Sequence, residues 1–236
     1  MKVFITGATG FVGAHSARSL LDAGHEVRLL VRNADAARDY FTKHGYAVDD
    51  LVVADMRDEA AVRQGMRGCD AVLHSAAAVT LSAAQAQATY DNNVGGMRAV
   101  IGAACSLGIG RIVYVSSLAA LFQPGLSEIN EQTPLGSARE PYARSKTDAD
   151  RHVRDLQAQG APISITYPGS VIGPDDPRLS ESNFALVSFL GTMVPRTTTG
   201  IQFVDVRDVA QAHRLLLERP PAGVATEARY ILGGHY

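Results

Sequence analysis

Cysteine is scarce in this chain. Its 236 residues include only Cys69 and Cys105, with no CxxC pair and no Cys/His cluster, which argues against a disulfide framework or a zinc site and for a reducing compartment. The seven histidines, His15, His25, His44, His74, His152, His213 and His235, lack metal-ligand spacing, so no metal is expected. Neither sign of charge dominates: 22 Lys+Arg face 24 Asp+Glu, a net of -2, leaving no basic surplus for nucleic acid. Long hydrophobic runs are missing too. The segment Met1–Gly7 turns glycine-rich too soon for a secretory signal, and Ala99–Phe122 is interrupted by Gly108, Gly110 and Arg111, against a membrane span. Low-complexity tracts are absent, and 46% hydrophobic residues suffice for a core. The expectation is one domain over residues 1–236, cytoplasmic, with a small substrate-proximal region around 174–202 where prolines break the pattern.

Short apolar runs alternate with longer amphipathic ones. Lys2–Thr6, Glu26–Val31, Asp50–Ala54, Ala71–His74, Arg111–Val115, Ile163–Tyr167 and Arg229–Leu232 predict strands. Val12–Ala23, Ala34–His44, Glu59–Met66, Ala83–Leu107, Tyr142–Gln159 and Val206–Glu218 predict helices. Strand then helix, repeated, means an α/β fold: a parallel sheet covered on both faces.

Thr6-Gly7-Ala8-Thr9-Gly10-Phe11-Val12-Gly13 follows the first strand and opens the first helix, the context of a dinucleotide-binding turn. Gly7 permits the tight turn, Gly10 close approach of a pyrophosphate, and Gly13 close helix–strand packing. The second strand ends in Val31-Arg32-Asn33, without the acid that holds the ribose hydroxyls of NAD; Arg32 suits a 2'-phosphate, so NADP(H) is preferred, with NAD(H) the alternative. Asp55, after the third strand, can take the adenine amine or cap a helix.

Tyr142 and Lys146 stand four apart on one helix face, where the ammonium can favour the phenolate and the phenol can exchange a proton with an alcohol or carbonyl oxygen. Ser116 and Ser117 end the fifth strand; Ser117 is the expected oxyanion donor and Ser116 the reserve. Arg151, Arg154, Asp148, Asp150 and Asp155 read as a solvated mixed-charge helix face. Ser82, Phe122, Gln123, Phe184 and Phe189 are candidates to approach a substrate.

Taken with His74-Ser75-Ala76-Ala77, Asn93-Val94-Gly95-Gly96 and Tyr167-Pro168-Gly169-Ser170-Val171-Ile172-Gly173-Pro174, these motifs make the chain resemble the extended, epimerase/dehydratase-like short-chain dehydrogenase/reductases. Within them it is most similar to the dihydroflavonol and cinnamoyl-CoA reductases and the hydroxysteroid dehydrogenase relatives. The resemblance implies a Rossmann doubly wound parallel sheet; members of this branch usually continue for another lobe after the strand matching Arg229–Leu232, so a reduced C-terminal substrate lobe is the expectation here. It implies a catalytic set of Ser117, Tyr142 and Lys146, helped by Asn93. For the cofactor it implies Gly7, Thr9, Gly10, Phe11, Val12 and Gly13 at the turn, Arg32, Asp55 and Met56 at the adenosine end, and Ala76, Ala77 and Ser116 along the crevice. Pro168, Gly169 and Val171, with Tyr142 and Lys146, would complete that site. Phe203–Ala210 looks like the family's late strand-to-helix segment. The expected activity is hydride transfer between nicotinamide and a small carbonyl or secondary alcohol. An epimerase or dehydratase retaining its cofactor, and a non-catalytic NADP sensor, are the alternatives. A homodimer through Ala83–Leu107 and Tyr142–Gln159 is the expected assembly.

Overall fold

The structure is a computed structural model that describes residues 1–79, 83–137, 140–192, 201–220 and 228–234. Its centre is a seven-stranded sheet of β1 (Lys2–Thr6), β2 (Glu26–Val31), β3 (Leu51–Val53), β4 (Ala71–His74), β5 (Ile112–Val115), β6 (Ile163–Pro168) and β9 (Arg229–Leu232), in the order β3-β2-β1-β4-β5-β6-β9. Every pairing is parallel. A parallel sheet needs crossovers that cover its faces, so its strands are apolar on both sides. Along β1, Val3 and Ile5 meet the core beneath α1 (Phe11–Asp22), α2 (Ala34–Lys43) and α8 (Val206–Glu218), which includes Leu20, Phe41 and Leu217. Phe4 points the other way, toward Met66 of α3 (Glu59–Met66), Ile101 of α5 (Gly96–Ser106) and Val153 of α6 (Pro141–Ala158).

The order reverses between β1 and β4, whose carboxyl ends therefore diverge into the crevice where sheets of this kind bind ligands. Thr6 Oγ1 and His74 Nδ1, 2.7 Å apart, tie the two strand ends together beneath it.

Most predicted elements are present within a residue or two at each end. The segment Ala83–Leu107 differs. It is a single turn at Ala83–Gln85, α4 (Ala86–Tyr90), a π-helical turn at Asp91–Gly95, then α5. Gly96 lies so close to Met56 that a Cβ would come within 2.7 Å of its side chain, and Asn93 of the π turn is buried. Two elements went unpredicted: β7 (Ser170–Ile172), which pairs in parallel with β8 (Phe203–Asp205), and α7 (Glu181–Gly191). Part of the proline-rich region, with Ser82 elsewhere, lies outside the described residues. Among the described residues, no helix is long and apolar enough to cross a membrane.

The α1–α8 packing encloses His213 between Ser16 Oγ (2.9 Å from Nδ1) and Thr166 Oγ1 (3.1 Å from Nε2). Burial lowers its pKa to about 3, and burial plus the Lys146 charge does the same for His74. Both histidines are neutral when folded and titrate near 6.5 when unfolded, so their contribution is complete above pH 6.5 and is lost as pH falls toward 3. Urea unfolding should show stability dropping below pH 6.5 by about 1.4 kcal/mol per pH unit for each. The variant His213→Gln should lose one proton's share of that slope; an unchanged slope would refute the assignment.

Candidate active site

The glycine turn is built by close contacts. Gly7 has φ +78, and a Cβ there would stand 2.6 Å from Ala76 N, so the turn leans directly on the chain leaving β4. A Cβ on Gly13 would lie 2.3 Å from Gly7 O, so the start of α1 packs closely on the turn, where the sequence reading placed close packing of helix on strand. Gly10 donates from its N–H to Gly7 O at 2.9 Å and precedes α1 with no side-chain cap, so the first helical amides remain available to an anion. Phe11 stacks edge-on against His15, and Ala76 N donates to Thr6 Oγ1 at 3.3 Å. This narrow, uncapped cradle fits the pyrophosphate of a dinucleotide.

The residues expected at the adenosine end sit at the tips of β2 and β3. Arg32 is exposed there, and Asn33 caps α2 by accepting from Ala36 N. Asp55 accepts from Arg57 Nε and Nη2 at 2.9 and 3.0 Å and from Arg57 N, and these bonds hold its carboxyl down at about 2. The helix-cap role considered for Asp55 belongs instead to Asp58, which accepts from Ala61 N. Met56 packs on Gly96, while Ala76 and Ala77 follow β4, and Pro168, Gly169 and Val171 lie at the far strands with Gly169 N bonded to Leu232 O.

The residues expected at the nicotinamide end lie on α6 and on the consecutive residues at the end of β5 that it meets. Glu140 caps α6, accepting from Tyr142 N and Ala143 N, with Pro141 at the first helical position. Lys146 is buried and donates from Nζ to Val115 O at 2.8 Å, with the Tyr114 ring 5.5 Å away. Ser116 is turned inward: its Oγ donates to Asp150 Oδ2 at 2.5 Å. Its hydroxyl is thus engaged inside the protein, which corrects its reserve role as an oxyanion donor. Ser117 faces the opposite way, accepts from Ala119 N, and lies near enough to the Tyr142 phenol to pull its pKa down.

Burial outweighs that effect and raises the Tyr142 pKa above the usual tyrosine value, with Glu140 and Glu181 adding to it. This differs from the sequence expectation of a phenol acidified by Lys146; the ammonium is held at Val115 O and is not among the influences on it. Lys146 itself is lowered to about 8 by burial, with Asp150 acting in the other direction. Asn93, in the π turn, clasps the chain after β4: its Oδ1 accepts from Ala78 N at 2.7 Å, and its Nδ2 donates to Ala78 O and to Ser145 Oγ. It joins that segment to the helix of Tyr142 and Lys146. Of the substrate-approach candidates, Phe122 and Phe184 are exposed, at 59% and 60%.

The solvated reading of the α6 charges fails for two residues. Asp150 is fully buried, accepts from Arg154 Nε and Tyr167 OH through Oδ1, and forms with Ser116 one closed network. The spacing of Lys146, Asp150 and Arg154 four apart was the available signal, placing all three on one stripe. Among the described residues no group of His, Cys, Asp or Glu could hold a metal.

This doubly wound parallel sheet, with a glycine cradle at its first crossover and a tyrosine–lysine helix beside the crevice, has the architecture of nucleotide-dependent dehydrogenases, reductases and epimerases. The profile of the NAD dependent epimerase/dehydratase family matches residues 3–233, and the chain belongs to that family as an enzyme of the extended short-chain dehydrogenase/reductase type. It is similar to a Synechocystis protein named "Putative dihydroflavonol 4-reductase", at 36% identity over 98% of this chain and 67% of the relative. Cinnamoyl-CoA reductase 1 of Petunia hybrida is 28% identical over 93% of this chain and 70% of its own length. Among solved structures, a DesIV double mutant (dTDP-glucose 4,6-dehydratase) from Streptomyces venezuelae with NAD and DAU bound superposes with a TM-score of 0.81. It is 25% identical and covers all of this chain, with 76% of its own length matched.

The variant Gly7→Ala places a side chain at positive φ against Ala76 N and should cost about 2 kcal/mol, lowering Tm by roughly 4–8 °C. A thermal melt reads this directly; an unchanged Tm would contradict the geometry of the cradle.

Proposed function

We propose that the protein is an NADP(H)-dependent reductase of a small carbonyl compound, with Tyr142 as its proton donor. The observation that carries this reading is the arrangement at the carboxyl end of β5, where Ser117 meets Tyr142 while Lys146 is held a helical turn away. When bound, the nicotinamide supplies or accepts the hydride. The protein's part is to orient and to move the proton. Tyr142 Oη gives its proton to the carbonyl oxygen as that oxygen gains charge, and Ser117 Oγ donates a hydrogen bond to the same oxygen. Lys146, with one Nζ donor spent on Val115 O, can hold a ribose hydroxyl with its two remaining donors. A phenol kept protonated by burial through the neutral range suits the reducing direction.

Arg32 supports the phosphorylated cofactor: it is an exposed guanidinium at the tip of β2, where an acid would repel a 2'-phosphate. The partner is a small carbonyl or alcohol substrate, and we assign the enzyme to the cytoplasm as a homodimer through the α4–α5 and α6 surfaces. The likeness to a dTDP-glucose 4,6-dehydratase favours a second reading, an epimerase or dehydratase that keeps its nicotinamide through the cycle. Nicotinamide absorbance copurifying with fresh protein would favour that reading.

Replacing Tyr142 by Phe should lower kcat for carbonyl reduction at least about 100-fold while leaving the NADPH Kd within about twofold; retained turnover would overturn the assignment. In a fluorescence titration, Arg32→Ala should weaken NADPH about 10- to 100-fold and leave NADH unchanged. Equal effects on both would remove the basis for NADP preference.

A further inference from the structure

Three consecutive residues leaving β5 are gripped by three successive positions along α6. Val115 O receives Lys146 Nζ at 2.8 Å, Ser116 Oγ donates to Asp150 at 2.5 Å, and Ser117 lies beside Tyr142. Ser116 and Ser117 follow each other in extended chain, with Ser117 at φ -162 and ψ 151, so their side chains point to opposite sides. Whatever holds Ser116 inward therefore holds Ser117 outward. Asp150 is itself firmly anchored. Its other oxygen accepts from Arg154 Nε at 2.8 Å and Tyr167 OH at 3.0 Å, and Arg154 Nη2 also donates to that phenol oxygen at 2.9 Å. Nothing in the proposed reaction uses this network.

We propose that Asp150 is a positioning residue for the catalytic set, fixing the outward turn of Ser117 through its bond to Ser116 and serving as the buried counter-charge of Lys146. This rests on the reductase reading for its kinetic consequences only. Asp150 lies one helical turn beyond Lys146, and no other carboxylate is among the groups acting on that ammonium. The titratable groups around the pair are Tyr114 on β5, His74 on β4, Tyr142 and Arg154 on α6, and Tyr167 on β6. His74 is neutral; burial raises the Asp150 pKa while Arg154, Ser116 and Tyr167 draw it down, and Asp150, paired with Arg154, is the carboxylate that acts on Lys146. Removing it lowers the affinity of Lys146 for its proton.

The chain has only three lysines, Lys2, Lys43 and Lys146, so the titration of Lys146 can be followed directly with 13Cε-labelled lysine, the resonance assigned by its loss in Lys146→Arg. In the wild type this signal should titrate near pH 8. Asp150→Asn should move it about one pH unit lower, whereas Ser116→Ala, which keeps the charge, should leave it in place. An unmoved resonance in folded Asp150→Asn overturns the charge role. Ser116→Ala should lower kcat about tenfold with the KM for the carbonyl compound unchanged. Wild-type kcat in that variant overturns the positioning role, and this arm decides alone if Asp150→Asn does not fold. The resonance needs no turnover: a wild type inactive on every carbonyl compound but with the expected titrations would sink the reductase reading and leave the counter-charge standing.

Discussion

An ammonium enclosed beneath a sheet edge has to find its partners within the protein, because water no longer solvates it. Lys146 finds a carbonyl at Val115, an aromatic face at Tyr114 and a negative charge at Asp150. Those requirements fix where α6 sits against β5. Once the helix is held there, Tyr142 is set beside Ser117, and Asn93 completes the assembly by joining Ser145 of the same helix to the chain leaving β4. The site is consequently a product of packing: its polar groups are oriented by strand ends and a capped helix, with little left to loops.

The cofactor side rests on a different constraint, backbone proximity. Gly7 and Gly13 are needed because neighbouring main chain occupies the space a side chain would take. The uncapped start of α1 leaves donors facing the crevice, while Thr6 and His74 keep the two diverging strand ends at a set distance. Neutral His74 serves this better than a charged one, given Lys146 nearby, and burial together with that charge keeps it neutral.

Much of this was legible in the chain. Continuous apolar runs mark strands buried on both faces, and Gly7 and Gly13 mark two positions of the turn with no room for a side chain, so the parallel sheet and the cradle follow from local pattern. The four-residue spacing of Tyr142 and Lys146 also reports a shared helix face. Local pattern does not reveal tertiary orientation. Nothing adjacent to Ser116 and Ser117 says which one turns inward, since Asp150, 34 residues away, decides it. For the same reason Asp150 and Arg154 read as solvated charges until the sheet encloses them. The π turn at Asp91–Gly95 falls inside a segment that reads as one continuous helix, and β7 pairs with a strand more than thirty residues later.

The most direct test of the account is transfer of deuterium from 4-deuterated NADPH, in both stereochemical forms, to a panel of aryl and aliphatic aldehydes and ketones, read by mass spectrometry of the products. The account predicts one deuterium on the former carbonyl carbon from one form only, with stoichiometric loss of the reduced cofactor. Turnover with no label in the alcohol, or with the reduced cofactor regenerated, would contradict it.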